Sequence, residues 1–273
     1  MDVPGRLCLV GGGKMGCALL AGWLDAGLSP ADVIVVEPDG AIAQDLATKY
    51  SVAVAADLAG HVVPEPPAAV VLAVKPQKMD AVIPLYAPLS GPATVFLSIA
   101  AGRSIESFAC GLGGEAAIVR AMPNTPAAIG LGISVACAND RVSAVQRHLC
   151  DGLLAAVGEV AWVENEALLD AVTAVSGSGP AYLFLFIECL AAAGERAGLS
   201  AELARQLAFA TVYGAAELAH RSDEPVETLR RNVTSPQGTT QAALNVLMAE
   251  DGLGALLERA VAAAAARSRE LAG

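Results

Sequence analysis

Glycines at positions 11, 13 and 16 follow at once on a short apolar run, Leu7-Cys8-Leu9-Val10, and lead into Ala18-Leu19-Leu20-Ala21-Gly22-Trp23-Leu24. The order is strand, tight turn, helix. At this spacing the first glycine permits the turn, the second lets the backbone approach a pyrophosphate, and the third lets the helix lie close to the strand. Amides of the first helical turn then point at the phosphates, with the helix dipole behind them. A glycine triplet alone is a weak signal. Its context is present on both sides here, so the stretch reads as a dinucleotide-binding turn.

A second apolar run, Val33-Ile34-Val35-Val36, ends at Glu37. A short acidic side chain about 20 residues past the glycines is where such a turn grips a ribose 2'-hydroxyl, and it repels a 2'-phosphate. Glu37 therefore favours NADH over NADPH, unless it is only a solvated strand end. The next run, Ala69 to Val74, is unbroken in apolarity, as a strand buried on both faces should be, and closes on Lys75-Pro76-Gln77. In an open parallel sheet ligands collect beyond the carboxyl ends of the strands, which is where Lys75 falls. An ordinary exposed lysine fits the same position.

Further along, Met122-Pro123-Asn124-Thr125-Pro126 brackets two short polar side chains between prolines, at the end of the run 116–121. It is either a plain turn or a rigid wall of the cofactor cleft. Asn232-Val233-Thr234-Ser235-Pro236-Gln237-Gly238-Thr239-Thr240 is a polar turn feeding a helix that starts near Gln241. Its hydroxyls and free amides suit an anion, although a simple helix cap needs only one of them.

The elements that must hold these residues change character midway. Strand-like runs continue at 94–99, 133–136 and 159–163, and Ser143 with Gln146 forms a capping box that opens a helix to about 156. From 166 onward alanine and leucine dominate at helical spacing, with no convincing strand. A domain boundary therefore falls near 163–166, giving domains at 1–164 and 165–273. In the second, Val175 to Tyr182 interrupts the helical pattern. The run Leu183-Phe184-Leu185-Phe186-Ile187 then resumes it, apolar all round, which suits a helix buried between subunits.

Composition narrows the class. The chain has 273 residues, 55% hydrophobic and 16% charged, well above what a disordered chain carries and apolar enough to imply a subunit interface. A net charge of -11 argues against nucleic acid, whose phosphates need a basic face. Six cysteines without CxxC spacing read as reduced, mostly buried thiols of a cytoplasmic protein, and the three histidines have no metal-ligand spacing. The start lacks the pattern of a signal peptide. Uncharged runs near 121–138 and 171–187 contain Pro, Gly or Asn and make poor membrane spans.

Five segments together resemble the pyrroline-5-carboxylate reductases, the enzymes of the last step of proline synthesis. They are GGGKMG at 11–16, AVKPQ at 73–77, RAMPNTPA at 120–127, VSGSGPAY at 175–182 and NVTSPQGTT at 232–240, in the same order and across nearly the whole chain. The resemblance implies an α/β Rossmann-type N-terminal domain and a second, all-α dimerisation domain that interlocks with that of another subunit. Dimers, sometimes assembled into decamers, are usual in the family, and the cofactor is NADPH or NADH. By the same resemblance Gly11, Gly13, Lys14 and Met15 hold the pyrophosphate, while Val74, Lys75 and Pro76 line the nicotinamide side. Asn124 borders the cofactor. Ser176, Gly238, Thr239 and Thr240 hold the substrate's carboxylate and ring nitrogen across a subunit interface.

Two departures from the family pattern stand out. Gln237 replaces a glycine common in the substrate loop, and Glu37 stands where many members carry small polar or basic residues suited to a 2'-phosphate. The expected chemistry needs a hydride and one proton, which a basic imine takes from water or a weakly acidic hydroxyl, so no strong general acid is required. No histidine falls in any candidate segment, which agrees. Thr240 is the candidate proton relay, its competing role being a helix cap, and Lys75 is the other candidate catalytic residue. Other imine reductases and β-hydroxyacid dehydrogenases share this plan. The latter need a base, typically a lysine, and Ser176 to Glu195 contains none. A non-catalytic NAD(P)-binding protein would not need the loops at 175–182 and 232–240.

Overall fold

The computed structural model describes residues 3–57 and 66–272, so the Pro-rich connection from Asp57 to Pro67 lies mostly outside the described residues. Strands β1 (Leu7–Val10), β2 (Val33–Val36), β3 (Ala53–Ala55), β4 (Ala69–Leu72), β5 (Val95–Ser98), β6 (Ala117–Met122), β7 (Gly132–Ala138) and β8 (Gly158–Trp162) form one sheet in the order β3-β2-β1-β4-β5-β6-β7-β8. All neighbours pair parallel except β6 and β7, which pair antiparallel. The helices of this half are α1 (Lys14–Asp25), α2 (Gly40–Tyr50), α3 (Met79–Val82), α4 (Ile105–Leu112) and α5 (Ala144–Ala155).

Alternate residues of each strand feed two separate apolar layers. Leu7, Leu9, Val71 and Leu97 pack with Leu19, Leu20 and Trp23 of α1 and with Leu153 of α5. Cys8, Val10, Leu72 and Phe96 pack on the other face with Met79, Tyr86 and Phe108. Period-two alternation between two filled layers is why these runs are apolar at every position. The indole N–H of the buried Trp23 donates to the Leu153 carbonyl at 2.8 Å, joining α1 to α5. The capping box of Ser143 and Gln146 opens α5 as its residues require.

Beyond β8 every described element is a helix. They are α6 (Leu168–Val172), α7 (Gly179–Arg196), α8 (Ala201–Arg221), α9 (Val226–Asn232), α10 (Thr239–Leu247) and α11 (Leu253–Ala272). By internal contacts the chain divides into two compact units, Met1–Ser178 with Ala264–Gly273, and Gly179–Ala263. The sheet unit thus keeps α6 and the end of α11, whose Ser268 hydroxyl donates to Asp170 at 2.6 Å.

Two features differ from the sequence reading. Val175 to Tyr182 does not interrupt the helix. The path from Leu168 to Arg196 continues through a single π turn at Thr173–Gly177, closed by the Ser178 N–H on the Thr173 carbonyl at 2.8 Å. Glycines weaken a helix without forbidding it, and here an added Cβ at Gly177 would press on the flexible end of the Met122 side chain of β6. This helical path is also long and apolar enough to cross a membrane by length and composition, with a mean hydropathy of 1.4 over its most apolar stretch.

In the second unit the large apolar side chains face outward. Phe184, Leu185 and Phe209 are 58%, 58% and 62% exposed, while its buried residues are the small Ala191, Ala204 and Ala208 where α7 meets α8. A helical pair held by alanines leaves its apolar mass for another surface to cover. Of the cysteines, Cys8, Cys137 and Cys150 are buried and Cys17 is half-buried, but Cys110 and Cys189 are exposed, so the expectation of mostly buried thiols holds only for the sheet unit's core.

Candidate functional site

Gly11 turns the chain off β1 with φ +103, and its N–H donates to the Val36 carbonyl at 2.9 Å. A Cβ there would lie 2.9 Å from the Ala73 carbonyl oxygen and 3.0 Å from Val74, so the glycine turn and the end of β4 touch only because residue 11 has no side chain. Gly16 packs just as closely on Gly11. Gly13, by contrast, faces open space: an added Cβ would meet nothing within 4 Å. It is the N-cap of α1, and no side chain caps that helix. The amides of Lys14 and Met15 therefore lack an intrahelical partner, at the electropositive end of the dipole. An open glycine face beside an uncapped helix start fits a pyrophosphate, which needs close backbone approach and N–H donors.

The Glu37 carboxylate is fixed at this turn. Its two oxygens accept the Gly12 N–H at 2.7 Å and the Asp39 N–H at 2.9 Å. Asp39 in turn caps α2 through the Ala41 and Ile42 amides. The segment Glu37–Ile42 thus presents two carboxylates and no cation. Beside it, the Cys17 thiol donates to the Gly12 carbonyl at 3.1 Å, and burial, reinforced by Glu37 and opposed by Lys49, keeps its pKa above the ordinary value.

Lys75 is exposed, in extended backbone just past β4. Its carbonyl accepts the Lys78 N–H at 2.9 Å, and the Pro76 carbonyl accepts Nε of Arg103 at 3.4 Å. Arg103 also pairs with Asp80, so one guanidinium holds the Lys75-Pro76-Gln77 bend. The sequence reading missed Arg103. Its place, just past the carboxyl end of β5, was the available signal.

At the end of β6, Asn124 is held from two sides. Its side-chain oxygen accepts the Ile133 N–H of β7 at 3.0 Å, and its Nδ2 donates to the Ser176 hydroxyl at 3.2 Å. Ser176 sits on the π turn, a local widening that recurs at functional sites. Two residues read separately from the sequence are therefore in contact. Upstream, Arg120 of β6 is buried and pairs with Glu166 at 2.7 Å, and the same Glu166 oxygen accepts the Ile105 N–H that opens α4 at 2.8 Å.

The second unit carries the remaining candidates. Gly238 is the N-cap of α10, with Thr239 and Thr240 as its first helical residues, so the helix starts two positions earlier than read from the sequence. No side chain caps it, and Thr240 therefore does not serve as its cap. Among the described residues the hydroxyls of half-buried Thr240 and exposed Thr239 meet no partner in the chain, at a helix N-terminus. Gln237 occupies left-handed backbone at φ +59, a conformation that favours glycine. Among the described residues no group of acidic, cysteine or histidine side chains is arranged to hold a metal.

Residues 166–271 match the family model described as pyrroline-5-carboxylate reductase dimerisation, and residues 6–102 match that of NADP oxidoreductase, coenzyme F420-dependent. The chain is 43% identical to a pyrroline-5-carboxylate reductase of Pseudomonas aeruginosa, over all of this chain and 98% of that protein. The chain belongs to the pyrroline-5-carboxylate reductase family. A reductase from Synechocystis is 42% identical over 97% of this chain and 98% of its own. The solved structure of a pyrroline-5-carboxylate reductase from Coxiella burnetii superposes with a TM-score of 0.92 at 34% identity, covering 99% of this chain and all of that one. The crystal structure of the pyrroline carboxylate reductase of Plasmodium falciparum, solved with NADP bound, gives 0.83 at 30% identity over 99% of both chains. The reductase architecture, a parallel-dominated nucleotide-binding sheet followed by a helical dimerisation segment, accounts for the uncovered apolar helices.

Proposed function

We propose that this chain reduces 1-pyrroline-5-carboxylate to L-proline with NAD(P)H, the closing step of proline synthesis. The observation that carries the reading is likeness over the full length to named reductases, on a fold whose glycine turn is open at Gly13 and closed at Gly11 and Gly16.

The nicotinamide supplies the hydride when bound; the chain's work is to bind, orient and exclude water. Gly11, Gly13, Lys14 and Met15 hold the pyrophosphate through backbone amides. Val74, Lys75 and Pro76 line the nicotinamide side, on a bend held by Arg103, and Asn124 borders them. Glu37 accepts the ribose 2'-hydroxyl and repels a 2'-phosphate, a reading supported by its fixed carboxylate and the cation-free segment around it. Ser176, Gly238, Thr239 and Thr240 take the substrate's carboxylate and ring nitrogen. Free hydroxyls at an uncapped helix start support that role for the last two. Thr240 hands on the proton.

The chain functions as domains 1–164 and 165–273, the second closing a homodimer, with decamers a further assembly. The match of 166–271 to a dimerisation model supports a protein partner rather than a membrane for the exposed apolar helices, and the acidic balance speaks against nucleic acid. The setting is cytoplasmic.

The test is nucleotide oxidation, followed by absorbance, with purified protein and 1-pyrroline-5-carboxylate. Turnover is expected with both cofactors, several-fold better in kcat/KM with NADH. Binding without turnover refutes the enzyme reading. A several-fold preference for NADPH refutes the role of Glu37.

A further inference from the structure

The contact between Asn124 and Ser176 has a defined direction. A backbone N–H can only donate, so the Ile133 amide requires the side-chain oxygen of Asn124 to face it, at 3.0 Å. That choice turns Nδ2, which can only donate, toward the Ser176 hydroxyl at 3.2 Å. Ser176 must therefore accept. With a lone pair of its oxygen engaged, its own proton points elsewhere, and among the described residues it meets no acceptor in the chain. Thr173, three residues earlier, does the opposite: its hydroxyl donates to the Leu169 carbonyl at 2.7 Å, the usual fate of a helical hydroxyl. On the π turn Ser176 is spared that fate.

We infer that Asn124 is a positioning residue that presets the Ser176 hydroxyl as a hydrogen-bond donor to the substrate's carboxylate. The inference rests on the function proposed above and adds which substrate group Ser176 takes. Of the substrate's two polar groups, the protonated ring nitrogen can only donate, whereas the carboxylate can only accept. A hydroxyl fixed as donor matches the second. It leaves the nitrogen to a group free to accept, and Thr240 is unconstrained in that respect. The antiparallel strand β7 is what makes this possible, since its first residues bring the Ile133 amide back beside Asn124.

Asn124→Asp tests the direction of the bond without changing shape. A carboxylate still accepts from Ile133, but its second oxygen now demands the Ser176 proton. At neutral pH kcat/KM should fall about tenfold to hundredfold, mainly through KM for 1-pyrroline-5-carboxylate. As pH falls toward the carboxyl range near about 4, the introduced side chain takes up a proton and donates again. The variant's activity relative to the parent should therefore rise on acidification, a profile no merely structural defect produces. In a Ser176→Ala background the same change should cost less than about twofold. Ser176→Ala alone keeps the Asn124–Ile133 bond and reads the donor directly, even if Asn124→Asp fails to fold. It should raise KM by a similar factor.

Full activity of either single variant overturns the inference, as does a loss in Asn124→Asp that is flat with pH or undiminished in the Ser176→Ala background. A parent protein that turns over substrate normally while those results appear refutes the inference alone. A parent inactive with both nucleotides refutes the proposed function, and the inference with it.

Discussion

Glu166→Ala should destabilise the protein by about 2–3 kcal/mol. The Glu166 carboxylate does two things with one oxygen: it pairs with Arg120 at 2.7 Å and accepts the first amide of α4, Ile105 N–H, at 2.8 Å. The Arg120 side chain is 7% exposed, so removing its partner leaves a cation in the interior of β6 with little water to replace the carboxylate. Breaking a fully buried pair in this way costs about 3–5 kcal/mol. Glu166 itself is 28% exposed, which lets solvent reach the vacancy and brings the figure below that range, to about 2–3 kcal/mol. Loss of the amide acceptor adds little, because Ile105 is only half-buried and water can take its N–H.

At about 2–4 °C per kcal/mol for a chain of this size, Tm should fall by roughly 4–12 °C. Urea or thermal denaturation at matched protein concentration, needed because assembly adds to apparent stability, gives the value. Glu166→Gln keeps an acceptor for both donors and should lose about 1–2 kcal/mol. Exchanging both members, Arg120→Met with Glu166→Leu, should recover most of the loss, because an apolar pair needs no desolvation. A drop below about 0.5 kcal/mol in Glu166→Ala would show that Arg120 is hydrated and the pair is not a structural tie.

Gln237→Gly should stabilise the protein by about 0.5–1 kcal/mol. Relief of left-handed strain at φ +59 is worth about 1–2 kcal/mol and the extra freedom of an unfolded glycine takes back about 0.4–1; an unchanged or lower denaturation midpoint refutes this. Thr240→Ala should cut turnover at least about tenfold while stability moves by less than about 0.5 kcal/mol, since the hydroxyl does not cap α10. A fully active variant removes Thr240 from the mechanism. Burial pushes the Cys8 and Cys150 thiols from 9.0 up to about 12. The folded state thus holds protons that the unfolded chain releases, so stability is intact below about pH 9 and is lost as pH rises toward 12. Urea midpoints should drop between about pH 9 and 11, and a flat profile would mean that these thiols are hydrated.

The parts of this molecule legible in its sequence are those whose cause is local. Val33–Val36 and Ala69–Leu72 are strands because nothing else buries four consecutive apolar residues on two faces, and Ser143 with Gln146 announces the start of α5 unaided. The glycine turn was readable for the same reason: each glycine answers a steric demand from its own neighbourhood. Contacts closed by topology were not readable. Glu166 is 46 residues from Arg120, and Ser176 is 52 from Asn124. Nothing near Glu166 shows which cation it neutralises. The apolar face of α7 occupies a middle case. An all-round apolar helix was read as one that must be covered, and among the described residues nothing covers it, because α7 and α8 meet through alanines and turn Phe184 and Phe209 outward.

Asn124 shows where the two kinds of cause join. Its prolines fix the loop locally, so its presence at the end of β6 could be read from residues 122–126. Which way its amide points depends on β7 returning antiparallel to put the Ile133 N–H beside it. A parallel neighbour would offer a different set of groups there, and the same asparagine could then accept from Ser176 instead of donating to it. The side chain comes from the sequence, but the polarity of its hydrogen bond comes from the one reversed pairing in the sheet.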